Sequence, residues 1–145
     1  YDVIMNKCSN LFQNHDFWLI GVIPFMNKLL SPRTYDMAQH LGAKVLYEGH
    51  LMSRRVDCIK IVARSVKNMI QTLRPNTLII TPVDRDDIIL AVCMAASNGV
   101  PLAGLLLTGD GAVDECNMEV LSLCENAFKT GLPLLVVETD SYVTA

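Results

Sequence analysis

Three short aliphatic stretches each end in a polar loop that carries aspartate. The loops are residues 84–87, 108–111 and 138–140. In open α/β sheets, ligands bind in the crevice outside the carboxyl ends of the strands. Carboxylates that converge at such a crevice bind a divalent cation or ligand hydroxyls. Helix capping is the alternative role, because aspartate satisfies the free N–H groups at the start of a helix.

Arg85 and the glycines of the 108–111 loop predict an anion-binding site at this crevice. The strands that end at Thr81 and Thr108 are expected to be neighbours, since sequential strands of a βαβ unit usually pair. Their loops would offer backbone donors and a guanidinium to a phosphate or carboxylate. In the alternative, Arg85 pairs with a neighbouring aspartate and fixes the turn. The predicted ligand-binding residues are Asp84, Arg85, Thr108, Gly109, Asp110 and Gly111.

Two further polar groups are candidates for chemistry. Glu48 and His50 have the residue types of a general acid–base pair, but no serine or cysteine has an evident relay to them. By the crevice rule, the loop that carries Glu48 and His50 is expected to converge with the three aspartate loops. A solvated loop is the alternative for this pair. Arg54 and Arg55 either meet an anionic ligand or partner or belong to a solvated basic face. The sequence has no GxxxxGK[ST] run and no His or Cys metal spacing, so we predict no catalytic residue, cofactor or metal.

The apolar stretches predict an α/β fold. Those that begin at Leu78, Leu105 and Leu135 recur about every 30 residues, which is the length of a strand–helix unit. They are continuously apolar, as strands buried on both faces are. Residues 45–47 and 58–63 are also typical of strands. The alternation of strands with helices indicates a three-layer α/β/α domain.

Four helices are predicted between these strands. Thr34 and Ser65 are the expected N-caps of the first two, and Gly42 is expected to end the first. The third, which Asn98 and Gly99 close, is apolar almost all round and therefore expected to be deeply packed. The predicted helices span about residues 34–41, 66–73, 86–97 and 115–129. The last of them places Leu121, Cys124 and Phe128 on one face.

Composition limits the classes of partner. The net charge is −3 and the isoelectric point is about 5.5, so the chain lacks the basic surface that nucleic acid or an anionic membrane requires. The apolar stretches are far shorter than the ~20 residues of a membrane span. The cysteines are odd in number and scattered, which is typical of reduced, buried thiols in the cytoplasm. They are Cys8, Cys58, Cys93, Cys116 and Cys124.

Residues 33–145 resemble the DRTGG domain family, which is named after scattered residues. Asp84 and Arg85 match its Asp-Arg element. Thr108 and Gly109 match the start of its Thr-Gly-Gly element, but Asp110 replaces the second glycine. The family's early segment is matched by residues 37–43, 48–49 and 54–56.

Within that family the chain resembles the middle region of long bacterial phosphate acetyltransferases. The matching stretches are residues 21–24, 105–109 and 123–133. Residues 1–32 resemble the tail of a preceding dethiobiotin-synthetase-like P-loop domain, so the predicted boundary lies between residues 32 and 33. Both ends of the chain are expected to be cut from a longer protein.

The resemblance implies a fold similar to the N-terminal domain of HPr kinase/phosphorylase, with a mixed, mainly parallel sheet. It implies a regulatory and assembly module without catalysis of its own, since acyl transfer belongs to a separate domain in those enzymes. The expected partners are a second copy, other domains of the parent chain and a small anionic metabolite. The alternatives are a structural oligomerisation spacer and a small independent hydrolase.

Overall fold

The computed structural model describes residues 23–26 and 29–144. Its contacts divide the chain into two compact units, Tyr1–Leu30 and Ser31–Ala145. The sequence also predicts strands over residues 3–7 and 18–24. These lie outside the described residues, except residues 23 and 24, which form no regular element. The described α-helices and β-strands lie in the second unit.

Strands and helices alternate along the second unit, as the spacing of its apolar stretches predicts. The described strands are β1 Lys44–Tyr47, β2 Cys58–Ile61, β3 Thr77–Pro82, β4 Gly104–Thr108 and β5 Leu134–Val137. The helices are α1 Thr34–Leu41, α2 Val66–Met69, α3 Asp86–Ser97, α4 Ala112–Glu115, α5 Met118–Leu123, α6 Glu125–Lys129 and α7 Ser141–Thr144. A 3₁₀ turn at Ile70–Thr72 continues α2.

The strands form one sheet in the order β1-β5-β4-β3-β2. The neighbours from β2 to β5 are parallel, and β1 pairs with β5 in the antiparallel direction. The central register sets Ile80 beside Leu106 and Leu106 beside Leu135. The prediction of a mixed, mainly parallel sheet is confirmed. The pairing of β3 with β4, which the candidate site requires, is also confirmed.

Two apolar layers cover the sheet, one on each face. Helices α2, α3, α5 and α6 pack on the face that carries Ile79, Leu105 and Val136. Helix α1 and the 51–56 loop cover the face that carries Leu106. Strands β3, β4 and β5 are buried on both faces, which explains their continuously apolar sequences. The predicted three-layer α/β/α architecture is therefore confirmed.

Two details of the predicted helices are wrong. Arg33, rather than Thr34, is the N-cap of α1, and the Arg33 amide donates to Asp36 Oδ2 at 2.9 Å. Thr34 is instead a buried first helical residue, whose hydroxyl donates to the Ala103 carbonyl at 2.9 Å. The helix predicted over residues 115–129 is broken into α5 and α6, and the side chain of Asn117 starts α5 by accepting from the amides of residues 119 and 120.

Helix α3 is less deeply packed than its sequence predicts. Its inner face, with Ile88 and Val92, is fully buried. On the outer face, however, Leu90 is 37% exposed and Met94 is 66% exposed. The outer face of a surface helix is usually polar. An apolar stripe on α3 is therefore open to solvent.

Candidate functional site

The predicted ligand residues lie at the carboxyl ends of β3 and β4. A hydrogen bond from the Val83 amide to the Thr108 carbonyl, 2.9 Å long, joins the two loops just beyond the strands. Gly109 also lies against Val83, because a Cβ on Gly109 would be 3.3 Å from Val83 Cγ1. The expected pairing of β3 with β4 thus brings the starts of the two loops together, while ligand binding by the loops stays a prediction. In open α/β sheets, a ligand would bind in the crevice outside these strand ends.

Arg85 is the N-cap of α3, and its guanidinium is largely engaged within the protein. Its Nε and Nη2 donate to the two carboxylate oxygens of Asp87 at 2.9 and 3.0 Å. Nη1 and Nη2 also donate to the carbonyls of Ala63 and Arg64. A guanidinium has five N–H donors, so at most one remains for a ligand. The arrangement matches the alternative in which Arg85 fixes the turn.

Thr108 and Gly109 lie deeper in the crevice and contact the segment that follows β5. The Thr108 hydroxyl is buried, lies 3.3 Å from the Thr81 carbonyl and shares a hydrogen bond with the Ser141 hydroxyl. The Gly109 amide donates to the Thr139 carbonyl at 3.0 Å. Residues 139–144 are called the strap below. Both inner polar groups of the crevice are therefore engaged by the strap.

Asp84, Asp110 and Gly111 form the outer rim of the crevice. Both aspartates are exposed. Gly111 is the N-cap of α4 and has a φ of +73°, a left-handed conformation that favours glycine. A Cβ at Gly111 would meet no atom within 4 Å, so conformation rather than crowding favours glycine there. Of the six predicted residues, the two aspartates are exposed, Arg85, Gly109 and Gly111 are half-buried, and Thr108 is buried.

The edge that carries the crevice is rich in carboxylates. The exposed ones in its loops are Asp84, Asp87, Asp110, Asp114, Glu115, Glu138 and Asp140. Asp140 has the capping role that the sequence left as an alternative, because its Oδ1 accepts from the amides of Tyr142 and Val143 at 2.8 Å each. Asp86 Oδ2 accepts from the side chain of Asn117 at 3.0 Å. Capping and turn-fixing thus account for several of these aspartates.

Glu48 and His50 do not join this crevice. Because β1 is antiparallel to β5, the loop after β1 lies beside the start of β5, at the amino ends of the parallel strands. There the His50 amide donates to the Gly131 carbonyl at 2.9 Å. The expectation that this loop converges with the others is wrong, since that expectation assumed that β1 runs parallel to its neighbours.

Arg54 and Arg55 are structural rather than a free basic surface. The Arg54 guanidinium donates to the carbonyls of Leu102, Thr130 and Gly131, and its burial lowers its pKa. Arg55 donates to the Ser31 carbonyl at 2.8 Å. Arg54 thus ties the 51–56 loop to the turns before β4 and β5. The sequence cannot reveal this role, because the acceptors are backbone carbonyls.

The predicted burial of the cysteines is confirmed for two of them. Cys93 and Cys124 are each 3% exposed, and burial raises the pKa of both thiols. Cys58 and Cys116 are only partly buried, and Cys8 lies outside the described residues.

The described residues also bear on two other kinds of site, a metal centre and a membrane span. Among residues 23–26 and 29–144, no group of three or more His, Cys, Asp and Glu side chains is arranged to hold a metal ion. Within the same part of the chain, no helix combines the length and the apolar character needed to cross a membrane.

Comparison with known proteins identifies relatives over nearly the whole chain. The sequence model of the DRTGG domain matches residues 36–145. Phosphate acetyltransferase of Pseudomonas putida is 52% identical over 141 residues, which are 97% of this chain and 20% of that protein. Phosphate acetyltransferase of Salmonella typhimurium is 39% identical over 143 residues, 99% of this chain and 20% of that protein. The chain thus spans about a fifth of the length of these relatives.

A solved structure shares the fold. It contains the CBS and DRTGG domains of the regulatory region of Clostridium perfringens pyrophosphatase, complexed with the activator diadenosine tetraphosphate. The TM-score is 0.57 and the sequence identity is 14%, over 83% of this chain and 49% of that one. At this identity the likeness concerns the fold alone.

Proposed function

Because the chain belongs to the DRTGG domain family, we propose that it is a regulatory and assembly domain of a phosphate acetyltransferase, without catalysis of its own. The parent enzyme would interconvert acetyl-CoA and acetyl phosphate in the cytoplasm. Its other domains would be partners of this one. Residues 1–32 would be the tail of a preceding P-loop domain. The identity of up to 52% to phosphate acetyltransferases supports this choice of parent.

The observation that carries the regulatory role is the junction of the β3–α3 and β4–α4 loops. Parallel strands bring the two loops together, and the Val83–Thr108 hydrogen bond fixes them at 2.9 Å. Asp84 and Asp110 are exposed on its rim and would accept from ligand hydroxyls. The Gly109 and Gly111 amides, the Thr108 hydroxyl and the remaining Arg85 donor would hold an anionic group.

The chemistry of this crevice favours a ligand with both hydroxyls and a phosphate. A simple anion such as inorganic phosphate would offer few hydroxyl donors to the carboxylates of the rim. A nucleotide-like metabolite offers ribose hydroxyls to the aspartates and its phosphate to the inner donors. Diadenosine tetraphosphate, which is bound in the structure of the pyrophosphatase regulatory region, is therefore a suitable probe.

Calorimetric titration tests the proposed site. Diadenosine tetraphosphate, ATP, NADH and pyruvate are titrated into the wild type, Asp110→Ala and Glu125→Ala. We expect one of the nucleotides to bind, and Asp110→Ala to weaken it about tenfold by removing a charge-assisted acceptor. Glu125, on α6 and paired with Lys129, is the acidic control and should leave the affinity unchanged. Absence of binding to the wild type, or equal binding to Asp110→Ala, contradicts this site.

A second candidate function is a structural spacer that joins copies of the domain. The exposed apolar side chains of one helical layer favour it. Leu90 and Met94 lie on α3, and Met118 and Leu123, 71% and 75% exposed, lie on α5. The contact between Asn117 and Asp86 holds the two helices together. Exposed apolar side chains mark contact surfaces, and a two-fold contact would use the same leucines and methionines on both copies.

A further inference from the structure

The strap is held mainly by polar contacts. Asp140 caps α7, and the Thr144 hydroxyl donates to the Asp140 carbonyl at 2.7 Å. Tyr142 is 89% exposed and Val143 is 70% exposed, so neither of these large side chains anchors the strap in the core. Segments with few buried apolar contacts open at low free energy. The strap is therefore suited to reversible opening.

The same strap engages the inner donors of the crevice. The Gly109 amide donates to the Thr139 carbonyl, and the Thr108 hydroxyl is paired with that of Ser141. Helix α7 also lies against β3. A phosphate that approaches the Gly109 amide must displace the strap, because an N–H directed at one acceptor is not free for another. The Thr108 hydroxyl has a second partner in the Thr81 carbonyl, 3.3 Å away, so the Gly109 amide is the donor that the strap controls most directly.

We propose that the strap is an autoinhibitory contact, which competes with the ligand for the Gly109 amide and the Thr108 hydroxyl. Ligand binding then releases residues 139–144, and strap closure lowers the apparent affinity by the fraction of molecules that are closed. This inference rests on the proposed function, since it concerns the regulation of the same crevice.

Asp140→Ala tests the competition, because it removes the acceptor for two amides of α7. Loss of an N-cap corresponds to about a fivefold change in the opening equilibrium. We therefore expect the Gly109 amide to exchange with deuterium about fivefold faster, measured by NMR. Diadenosine tetraphosphate, the calorimetric probe, should bind about fivefold more tightly. Ser141→Ala, which removes the partner of the Thr108 hydroxyl, should change both quantities in the same direction.

Two control variants separate the cap from other effects. Asp140→Asn keeps an acceptor oxygen but removes the charge, so it should resemble the wild type in Gly109 exchange. Any gain in affinity that it shows measures repulsion between the carboxylate and the probe. Ser122→Ala removes a hydroxyl bonded within α5, at 2.6 Å from the Glu119 carbonyl. It should leave both quantities unchanged.

The outcomes distinguish the inference from the proposed function. If the probe binds the wild type, Asp140→Ala and Ser141→Ala equally, the crevice binds ligand and the competition is wrong. If the probe binds none of them, the proposed ligand site fails and the inference with it. Tighter binding together with faster Gly109 exchange in both variants supports the inference. Faster exchange with unchanged affinity overturns it, since the strap then opens without affecting the ligand.

Discussion

The two longest helices of the domain begin with an arginine that pairs with an aspartate in the first turn. Arg33 and Asp36 pair at the start of α1, with 2.7 Å between Nη2 and Oδ1. Arg85 and Asp87 pair at the start of α3. In both pairs the guanidinium holds the pKa of the carboxyl below its usual range, and the pKa of Asp36 falls to about 2. Each carboxylate also lies near the positive end of a helix.

The lowered pKa of Asp36 predicts a loss of folding stability in acid. Its folded pKa of about 2 is lower than its ordinary value of 3.8, so the charged carboxylate stabilises the folded state above pH 3.8. This contribution is lost as the pH falls toward 2. We expect the free energy of unfolding of Asp36→Asn to be lower than that of the wild type at neutral pH, with a difference that shrinks between about pH 4 and 2.

Urea unfolding at a series of pH values measures this difference. Asp57→Asn is a poor control because Asp57 accepts from Ser31 and Asn76. Asp114→Asn alters an exposed aspartate in the first turn of α4 and is better suited. A difference between Asp36→Asn and the wild type that stays constant down to pH 2 contradicts the assigned role of Asp36.

Two glycines with left-handed backbone conformation follow helix ends, one in open space and one in a crowded contact. Gly42 ends α1 with a φ of +61°, and a Cβ there would meet nothing within 4 Å. Gly131 follows α6 with a φ of +80°, and a Cβ there would lie 2.4 Å from Nδ1 of His50. The 48–50 loop therefore packs directly on the backbone of the turn before β5.

Alanine at these positions tests that packing. Gly42→Ala should cost about 1 kcal/mol, the cost of a left-handed conformation for a residue with a Cβ. Gly131→Ala should cost more, because the new methyl group also displaces the imidazole of His50. Thermal unfolding of each variant measures the cost. The double variant with His50→Ala should recover part of the loss in Gly131→Ala and none in Gly42→Ala, and equal costs for the two glycine variants would contradict the contact.

The elements were predictable to different degrees. Strands β3, β4 and β5 follow from unbroken aliphatic sequence, because both of their faces are buried. The break between α5 and α6 is not marked by proline or glycine, although Asn117 is a recognisable N-cap. The direction of β1 has no signal in the local sequence, since it depends on the strand with which β1 pairs. That direction decides which loops share the crevice, so Glu48 and His50 were misplaced.

The position of the candidate site could be predicted from the sequence. The hydrogen bonds that engage its donors could not. The aspartates and glycines at the ends of β3 and β4 mark the crevice, and the crossover rule brings them together. The engagement of Arg85 and of the Gly109 amide could not be predicted, because their partners include the backbone carbonyls of Ala63, Arg64 and Thr139. Any residue type supplies such an acceptor.

At the scale of the whole molecule, the outer apolar surface of α3 and α5 predicts self-association. Met94→Lys places a charge on the exposed side of α3 without disturbing the core, since Met94 is 66% exposed. We expect the wild type to form a dimer and Met94→Lys to shift the mass toward the monomer, with an apparent Kd at least tenfold higher. Light scattering coupled to gel filtration measures this shift.

Met52→Lys is the matched control, because Met52 is 50% exposed in the 51–56 loop on the other face of the sheet. It should leave the mass unchanged. A wild-type chain that stays monomeric at high concentration excludes the spacer function, and equal effects of the two lysines would show that the surface of α3 is not the contact.

The antiparallel pairing of β1 has a consequence for biosynthesis. Lys44 pairs with Val136, so β1 leaves the ribosome long before its partner strand has been synthesised. Until then β1 has no partner strand, although the parallel β2–β3–β4 unit, on which α1 packs, is already available. Docking of β1 should therefore be a late step of folding, because closing so long a loop is slow. During synthesis, β1 is therefore an unpaired strand on a nascent chain whose parallel strands have already formed.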